Sequence, residues 1–276
     1  TFVNTKLAEV YEIKGESIDF TDLYNRRETY RAAVPSECGI LLAAVDVQID
    51  RLECAVWGFG RNDEIWLIDY TKLLGDPYLP HVWTELDAYR NQTFVHETGA
   101  KVRIRLTAVD AGDKAKEVLE YCARSPHNCI PVRGNPKPQL TLCQRSKSAT
   151  YPVYWIATDI AKDIILDRLK VEAQGPRYIH LPEWTTQEFC SQLTSNERKE
   201  IKKAGRTTTR WVKKTAHIRD EALDTLVYAM GLFDITPFSK NMDAIFEAMG
   251  SEPTENPVAP EVKSPSARPR IIVRNR

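Results

Sequence analysis

Three strand-like runs follow one another almost without a gap: GILLAAVDVQ at 39–48, RLECAVWGFG at 51–60 and EIWLIDYTKLL at 64–74. Only Ile49-Asp50 separates the first two, and Arg61-Asn62-Asp63 the next two. Links that short force antiparallel neighbours, because a parallel return needs about a dozen residues or more. The chain must therefore contain a three-stranded meander. The first run is apolar at successive positions up to Val45, so both its faces are covered and it belongs in the middle of a sheet.

Beyond the meander the period lengthens. From roughly Leu79 to His96, the residues Val82, Trp83, Leu86 and Tyr89 recur near helical spacing. KVRIRLTAVDAGD (101–113) predicts a fourth strand ending at Asp110, a break at Gly112, and a helix starting near Asp113, which can cap it. Short strands are expected at 129–138, 153–159 and 178–182, and helices at 161–170 and 185–193, the last capped by Thr185 or Thr186. RKEIKKAGRTTTRWVKK predicts two strands around Ala204-Gly205, and RDEALDTLVYAMGLFDI (219–235) an amphipathic helix. Three antiparallel strands followed by alternating helices and strands describe an α/β mixed sheet flanked by helices. Residues 1–35 read as a linker from a further domain, 36–250 as the folded domain, and the Pro-rich, basic-ending 251–276 as a flexible tail or docking peptide.

Composition removes several classes. No run approaches the ~20 apolar residues of a membrane span, so no membrane partner is expected. The six cysteines form no C-x-x-C pair, which suits reduced thiols and argues against zinc. Five scattered histidines and the lack of G-x-S-x-G argue against a Ser or Cys hydrolase. Net charge is zero, but nine Lys/Arg face two Glu between Asn196 and Arg219, a local excess of seven. Such a strip is either a solvated face or a surface for a polyanion.

The acids are the sharper signal. Asp46 and Asp110 each stand at the C-terminal end of a strand that is apolar up to the acid, where open α/β sheets place ligand sites. Asp220, Glu221 and Asp224 share a helix face through their i,i+3 and i,i+4 spacing. Read singly, Asp46 is a turn residue, Asp110 a helix cap and Asp224 a helix-surface residue; Asp50 and Arg51 read as the tight turn between strands. Read together, converging carboxylates repel unless a cation sits among them, and hard oxygen donors select Mg²⁺ or Mn²⁺. Two such ions about 4 Å apart clamp the attacking and leaving oxygens of a phosphodiester.

In order along the chain, AAVDVQIDRLECAVWGFGRNDEIWLIDY, AVDAGDKAKEVLEYC, TDIAKDIILDRL, IHLP, QLTSNERKE and RDEALDTLVYAM resemble the nuclease half of phage terminase large subunits of the lambda-like, cohesive-end type. The resemblance spans roughly residues 25–235. It implies a ribonuclease-H-like fold and a two-metal endonuclease, using Mg²⁺ or Mn²⁺, that cuts concatemeric double-stranded viral DNA during packaging. Carried over by position, Asp46, Asp110 and Asp224 are the metal-binding catalytic acids and Glu221 an auxiliary. Lys162 is expected to approach DNA, and Arg206, Arg210, Lys213 and Lys214 to hold the phosphate backbone; Trp211 reads as packing rather than a base-stacking platform. Expected partners are double-stranded DNA, a terminase small subunit and the portal or procapsid, in the cytoplasm of an infected bacterium. No G-x-x-x-x-G-K-[ST] loop occurs, so ATP turnover is not expected of this chain. The rival readings are another ribonuclease-H-like DNA nuclease, such as a resolvase or transposase core, and a non-catalytic portal-docking module.

Overall fold

A computed structural model of the chain describes residues 17–125, 128–137, 139–147, 152–203 and 206–251, with 201–203, 206–208, 238 and 248–251 described by backbone alone. The first sixteen residues and the tail beyond 251 lie outside the described residues.

The meander forms as the short links require. Strands β1 (Cys38–Val47), β2 (Arg51–Gly60) and β3 (Ile65–Leu74) pair antiparallel in sequence order. Helix α1 (Phe20–Asn25) precedes them, and α2 (Pro80–Arg90) follows. The helix expected to reach His96 stops at Arg90, where the Asn91 side chain donates to the Asp87 carbonyl at 2.8 Å. The β-prone run Thr93–Val95 then forms strand β4 against the start of β5 (Lys101–Asp110).

On its other side β1 pairs with β5 in parallel, so β1 is central as its two apolar faces demanded. The sheet continues through α3 (Ala115–Arg124), β6 (Cys129–Asn135), β7 (Cys143–Arg145), β8 (Tyr154–Ala157), α4 (Thr158–Leu169) and β9 (Ile179–His180). Its order is β7-β8-β6-β5-β1-β2-β3-β9, with β4 off the path. The β3-β2-β1-β5-β6 centre, antiparallel on one side and parallel on the other, is the ribonuclease-H-like arrangement that the resemblance implied. Helix α5 (Gln187–Leu193), capped by Thr186, leads into a separate hairpin, β10 (Asn196–Lys203) and β11 (Arg206–Lys213). Then come α6 (Glu221–Ile235) and α7 (Met242–Ser251).

Strand alternation splits β1 between two cores. Leu41, Ala43 and Val45 face α2 and α3, packing with Val82, Trp83, Leu86, Val118 and Tyr121. Leu42 and Ala44 face α4, α5 and α6, packing with Ile165, Phe189, Leu223 and Leu226. Helix α6 is less one-sided than the amphipathic helix expected. It is buried almost all round from Glu221 to Leu232, because it lies on the sheet centre and is flanked by α4 and α5. Gly231 allows this close approach: a Cβ there would stand 2.4 Å from Ile156 Cδ1 on β8. Fully buried Trp57 on β2 ties the layers, its indole N–H donating to Thr225 Oγ1 of α6 at 3.3 Å. Trp57→Ala is expected to cost about 3–5 kcal/mol, seen as a lower midpoint in urea denaturation.

The described part of the stretch read as a linker is docked on this domain. Leu23 is fully buried, Arg26 Nη1 donates to the carbonyls of Leu169 and Val171 at 3.0 and 2.8 Å, and Glu28 bridges to Pro182. All six cysteines are free and buried. Among the described residues no helix is long and apolar enough to cross a membrane.

Candidate active site

The alternation that sorts the core also sorts the acids. Asp46 lies two residues beyond Ala44 on β1, and Asp110 two beyond Ala108 on β5, so both point to the α6 face. Glu221 and Asp224 occupy the first turn of α6, which packs on β1, β2 and β5. The four acids predicted from sequence are thus drawn together from two neighbouring parallel strands and the helix above them.

Burial governs their electrostatics. Asp46 is buried, and loss of solvent pushes its carboxyl well above the ordinary range, with the charges of Asp224, Asp110 and Glu221 adding to the rise. The Gln48 amide donates to Asp46 Oδ2 and partly offsets it. Burial raises Asp110 to about 6 against the opposing hydrogen bonds from the Gly112 N–H and the Tyr228 hydroxyl. Burial raises Asp224 to about 7; the Lys162 ammonium lowers it, while Asp220 and Asp110 raise it. Asp110 does not cap α3. Its Oδ1 accepts from Gly112 N at 3.1 Å, and neither Asp113 nor any other side chain caps that helix. The turn therefore keeps the carboxylate at the strand end. A Cβ on Gly112 would stand 3.1 Å from Asp110 Oδ2, so the glycine leaves room for the carboxylate.

Among the described residues no three His, Cys, Asp or Glu side chains close on one point at ligating distance. The acids share a field without forming a finished cage. Even so, the donor set fits a hard divalent cation. It is all oxygen, its charged form is disfavoured by burial and by like charge, and Glu221 Oε2 is buried with no hydrogen-bond partner.

The basic candidates separate. Lys162 on α4 donates to Asn196 Oδ1 at 3.0 Å while its charge reaches Asp224, placing it beside the acids. Arg210 is exposed on β11. Lys213 donates to Asp220 Oδ1 at 2.8 Å, at the seam between hairpin and acids. Lys214 turns inward instead, donating to the Ile18 carbonyl at 2.6 Å, so it ties down the N-terminal segment rather than standing free. The Arg206 side chain lies outside the described residues. Trp211 donates to Asp163 Oδ1 at 3.0 Å and lines a small hollow with Ile165, Leu169 and Leu223, which is a packing role.

Several residues at the site were not singled out from sequence. Tyr228 hydrogen-bonds Asp110 through its hydroxyl. Glu53 on β2 stands directly across from Asp46 and is fully buried. Arg51 is no mere turn residue: it pairs with Glu53 at 2.7 Å and Glu221 at 3.1 Å as well as with Asp50. Arg219, counted as the end of the basic strip, also turns to Glu53 and Glu221. One signal was available. Alternation along RLECAVW puts Glu53 on the face of Ala55 and Trp57, which is the face of Asp46.

The chain is similar to known proteins over most of its length. Residues 1–242 match the family model of the terminase large subunit gpA endonuclease domain. The chain is 33 % identical over 251 residues to the terminase large subunit of Escherichia phage lambda, covering 86 % of this chain and 38 % of that protein. It is 29 % identical over 278 aligned positions to the terminase large subunit of Enterobacteria phage P21, covering 95 % of this chain and 43 % of that protein. The chain therefore spans less than half the length of either relative. Among solved structures it is similar to the nuclease domain of the g2p large terminase of bacteriophage SPP1, solved with bound Mn, at 12 % identity and a TM-score of 0.36, over 79 % of this chain and 90 % of that one.

Proposed function

The chain belongs to the terminase large subunit gpA endonuclease domain family, and from that premise we propose that it is a metal-dependent endonuclease cutting concatemeric double-stranded viral DNA during genome packaging. The observation that carries the reading is the convergence of Asp46, Asp110 and Asp224 on one face, each with its carboxyl raised by burial. Structural aspartates are seldom buried together, because their repulsion destabilises the fold without return.

Asp46, Asp110 and Asp224 would hold two Mg²⁺ or Mn²⁺ ions, with Glu221 beside them. When bound, such ions supply the positive charge that neutralises these carboxylates and polarises a phosphodiester. The chain's own residues do the rest. The Tyr228 hydroxyl and the Gly112 N–H fix the Asp110 carboxylate, and Gln48 fixes that of Asp46. Lys162 brings a cation next to Asp224, where a phosphate oxygen would approach. Water adds to phosphorus as the P–O3′ bond breaks, leaving 5′-phosphate and 3′-hydroxyl ends. Arg210, with Arg206 and Lys213 along the same hairpin, grips the DNA backbone without reading sequence. Sequence choice then falls to a small-subunit partner, and delivery of the cut end to the portal or procapsid, in the infected cell's cytoplasm.

Incubation with supercoiled plasmid and Mn²⁺ tests the reading. Linear or nicked products that vanish with EDTA are expected; cutting that survives EDTA contradicts it. Binding to procapsid without any cutting would favour the docking-module reading. Arg210→Glu is expected to weaken DNA binding equally for unrelated sequences and to lower the salt slope of log K by about 1–2, measured by fluorescence anisotropy across a salt series.

A further inference from the structure

Glu53 is a buried carboxylate that neither the core nor the acid cluster explains. It stands in antiparallel register with Asp46 and has no exposed surface. Its Oε1 accepts from Arg51 Nε at 2.7 Å and from Arg219 Nη2, and its Oε2 accepts from the Tyr70 hydroxyl. Both guanidiniums then reach one further atom. Glu221 Oε1 accepts from Arg51 Nη2 at 3.1 Å and from Arg219 Nε at 3.0 Å. The remaining arms are tied outside, Arg51 Nη1 to Asp50 Oδ1 at 2.7 Å and Arg219 Nη1 to Glu188 Oε1 at 3.3 Å.

The result is asymmetric. One oxygen of Glu221 is held from two sides by planar forks, which fixes the carboxylate's orientation as a lysine could not. The other, Oε2, is buried and has no hydrogen-bond partner among the described residues. An unpartnered buried carboxylate oxygen costs more than a network built only for stability would leave unpaid. Glu221 shares the first turn of α6 with Asp224, and Glu53, held by the same two arginines, stands opposite Asp46, so this carboxylate lies beside the three aspartates.

We propose that Arg51, Glu53 and Arg219 form a frame that orients Glu221 so that its Oε2 serves as a fourth oxygen ligand at the cation site. This rests on the metal-dependent nuclease reading. Glu53 and the two arginines touch neither cation nor DNA; they are positioning residues, and they act through Glu221. Partners that orient a ligand in this way change metal affinity by about 10–100-fold when removed.

The test is calorimetric titration of the whole chain with Mn²⁺, beside thermal melting in EDTA. Arg219 is part-exposed and Arg51 still holds both carboxylates, so Arg219→Ala should fold, melting lower in EDTA because Glu53 and Glu221 each lose one of two guanidinium partners. Its Mn²⁺ affinity should fall about tenfold or more, with kcat reduced and KM for DNA unchanged. Arg219→Lys should not restore affinity, since an ammonium cannot fork between Glu53 and Glu221. Glu53→Gln should weaken Mn²⁺ binding in the same direction. In a Glu221→Gln background, Arg219→Ala should add nothing, because its effect passes through Glu221. Wild-type Mn²⁺ affinity in Arg219→Ala and Glu53→Gln, or additive losses in the double variant, overturns the frame. Asp46→Ala separates the two levels: it should lose Mn²⁺ binding and cutting whether or not the frame exists. If Asp46→Ala keeps both, the nuclease reading falls and the frame with it; if it loses both while the frame variants behave as wild type, only the frame falls.

Discussion

Asp46→Ala is expected to lose Mn²⁺-dependent cutting by roughly a thousandfold or more, because several kcal/mol of charge stabilisation at the phosphodiester would go with the ligand. The position explains the size. Asp46 is on the central strand, buried, and close enough to Asp224, Asp110 and Glu221 to feel their charges. The same burial makes the variant a fair one. Removing a carboxyl from a crowded, desolvated cluster relieves repulsion, so the metal-free protein should melt no lower than wild type. Asp46→Asn, which keeps the shape and the Gln48 contact, should be equally inactive. Plasmid cutting read beside circular dichroism checks both halves. An active Asp46→Asn would place the chemistry elsewhere.

The second large effect is on stability, and it runs opposite to activity. Asp224 is raised from 3.8 to about 7, chiefly by burial, with Lys162 opposing. A carboxyl whose folded-state pKa lies above its unfolded one favours folding while protonated. That contribution is complete below the unfolded pKa near 4 and is lost as pH rises through about 7. At pH 8 the metal-free protein therefore carries the full penalty of a buried carboxylate, at most about 4 kcal/mol for this group. Asp224→Asn should raise the melting temperature in EDTA at pH 8, by about 2–4 °C per kcal/mol recovered, and the gain should fade toward pH 4. Saturating Mn²⁺ should reverse the ranking, because wild type gains stability from the ion and the variant does not. A variant that melts below wild type at pH 8 in EDTA would show that Asp224 is held by favourable structural contacts instead. Asp110, raised to about 6, should behave likewise with its loss centred about one pH unit lower.

Legibility from sequence followed the range of the forces involved. The meander was readable because two- and three-residue links leave one geometry open, and Asp46 and Asp110 were readable because an acid ending an apolar strand has few structural reasons. The helical acids followed from i,i+3 and i,i+4 spacing. What failed was register and reach. Glu53 reads as an ordinary strand polar residue until the pairing Asp46↔Glu53 is known, and nothing local reveals that Arg219, 166 residues further along the chain, joins its strand neighbour Arg51 in meeting it. Charge counting treated the strip from Arg198 to Arg219 as one surface, yet Lys214 and Arg219 fold inward onto Ile18 and Glu53. Helix α6 read as amphipathic; in the fold its polar first turn lies over the sheet, with Glu221 buried and Asp224 half-buried. Segment 93–95 was absorbed into a helix because three residues are too few to show a strand period.

Anomalous diffraction at the manganese edge, from crystals of this chain soaked in Mn²⁺, measures the central claim directly. Two peaks are expected among Asp46, Asp110 and Asp224, with Glu221 Oε2 turned toward one of them. No peak at the ends of β1 and β5 under saturating Mn²⁺, or ions bound only elsewhere, would contradict it.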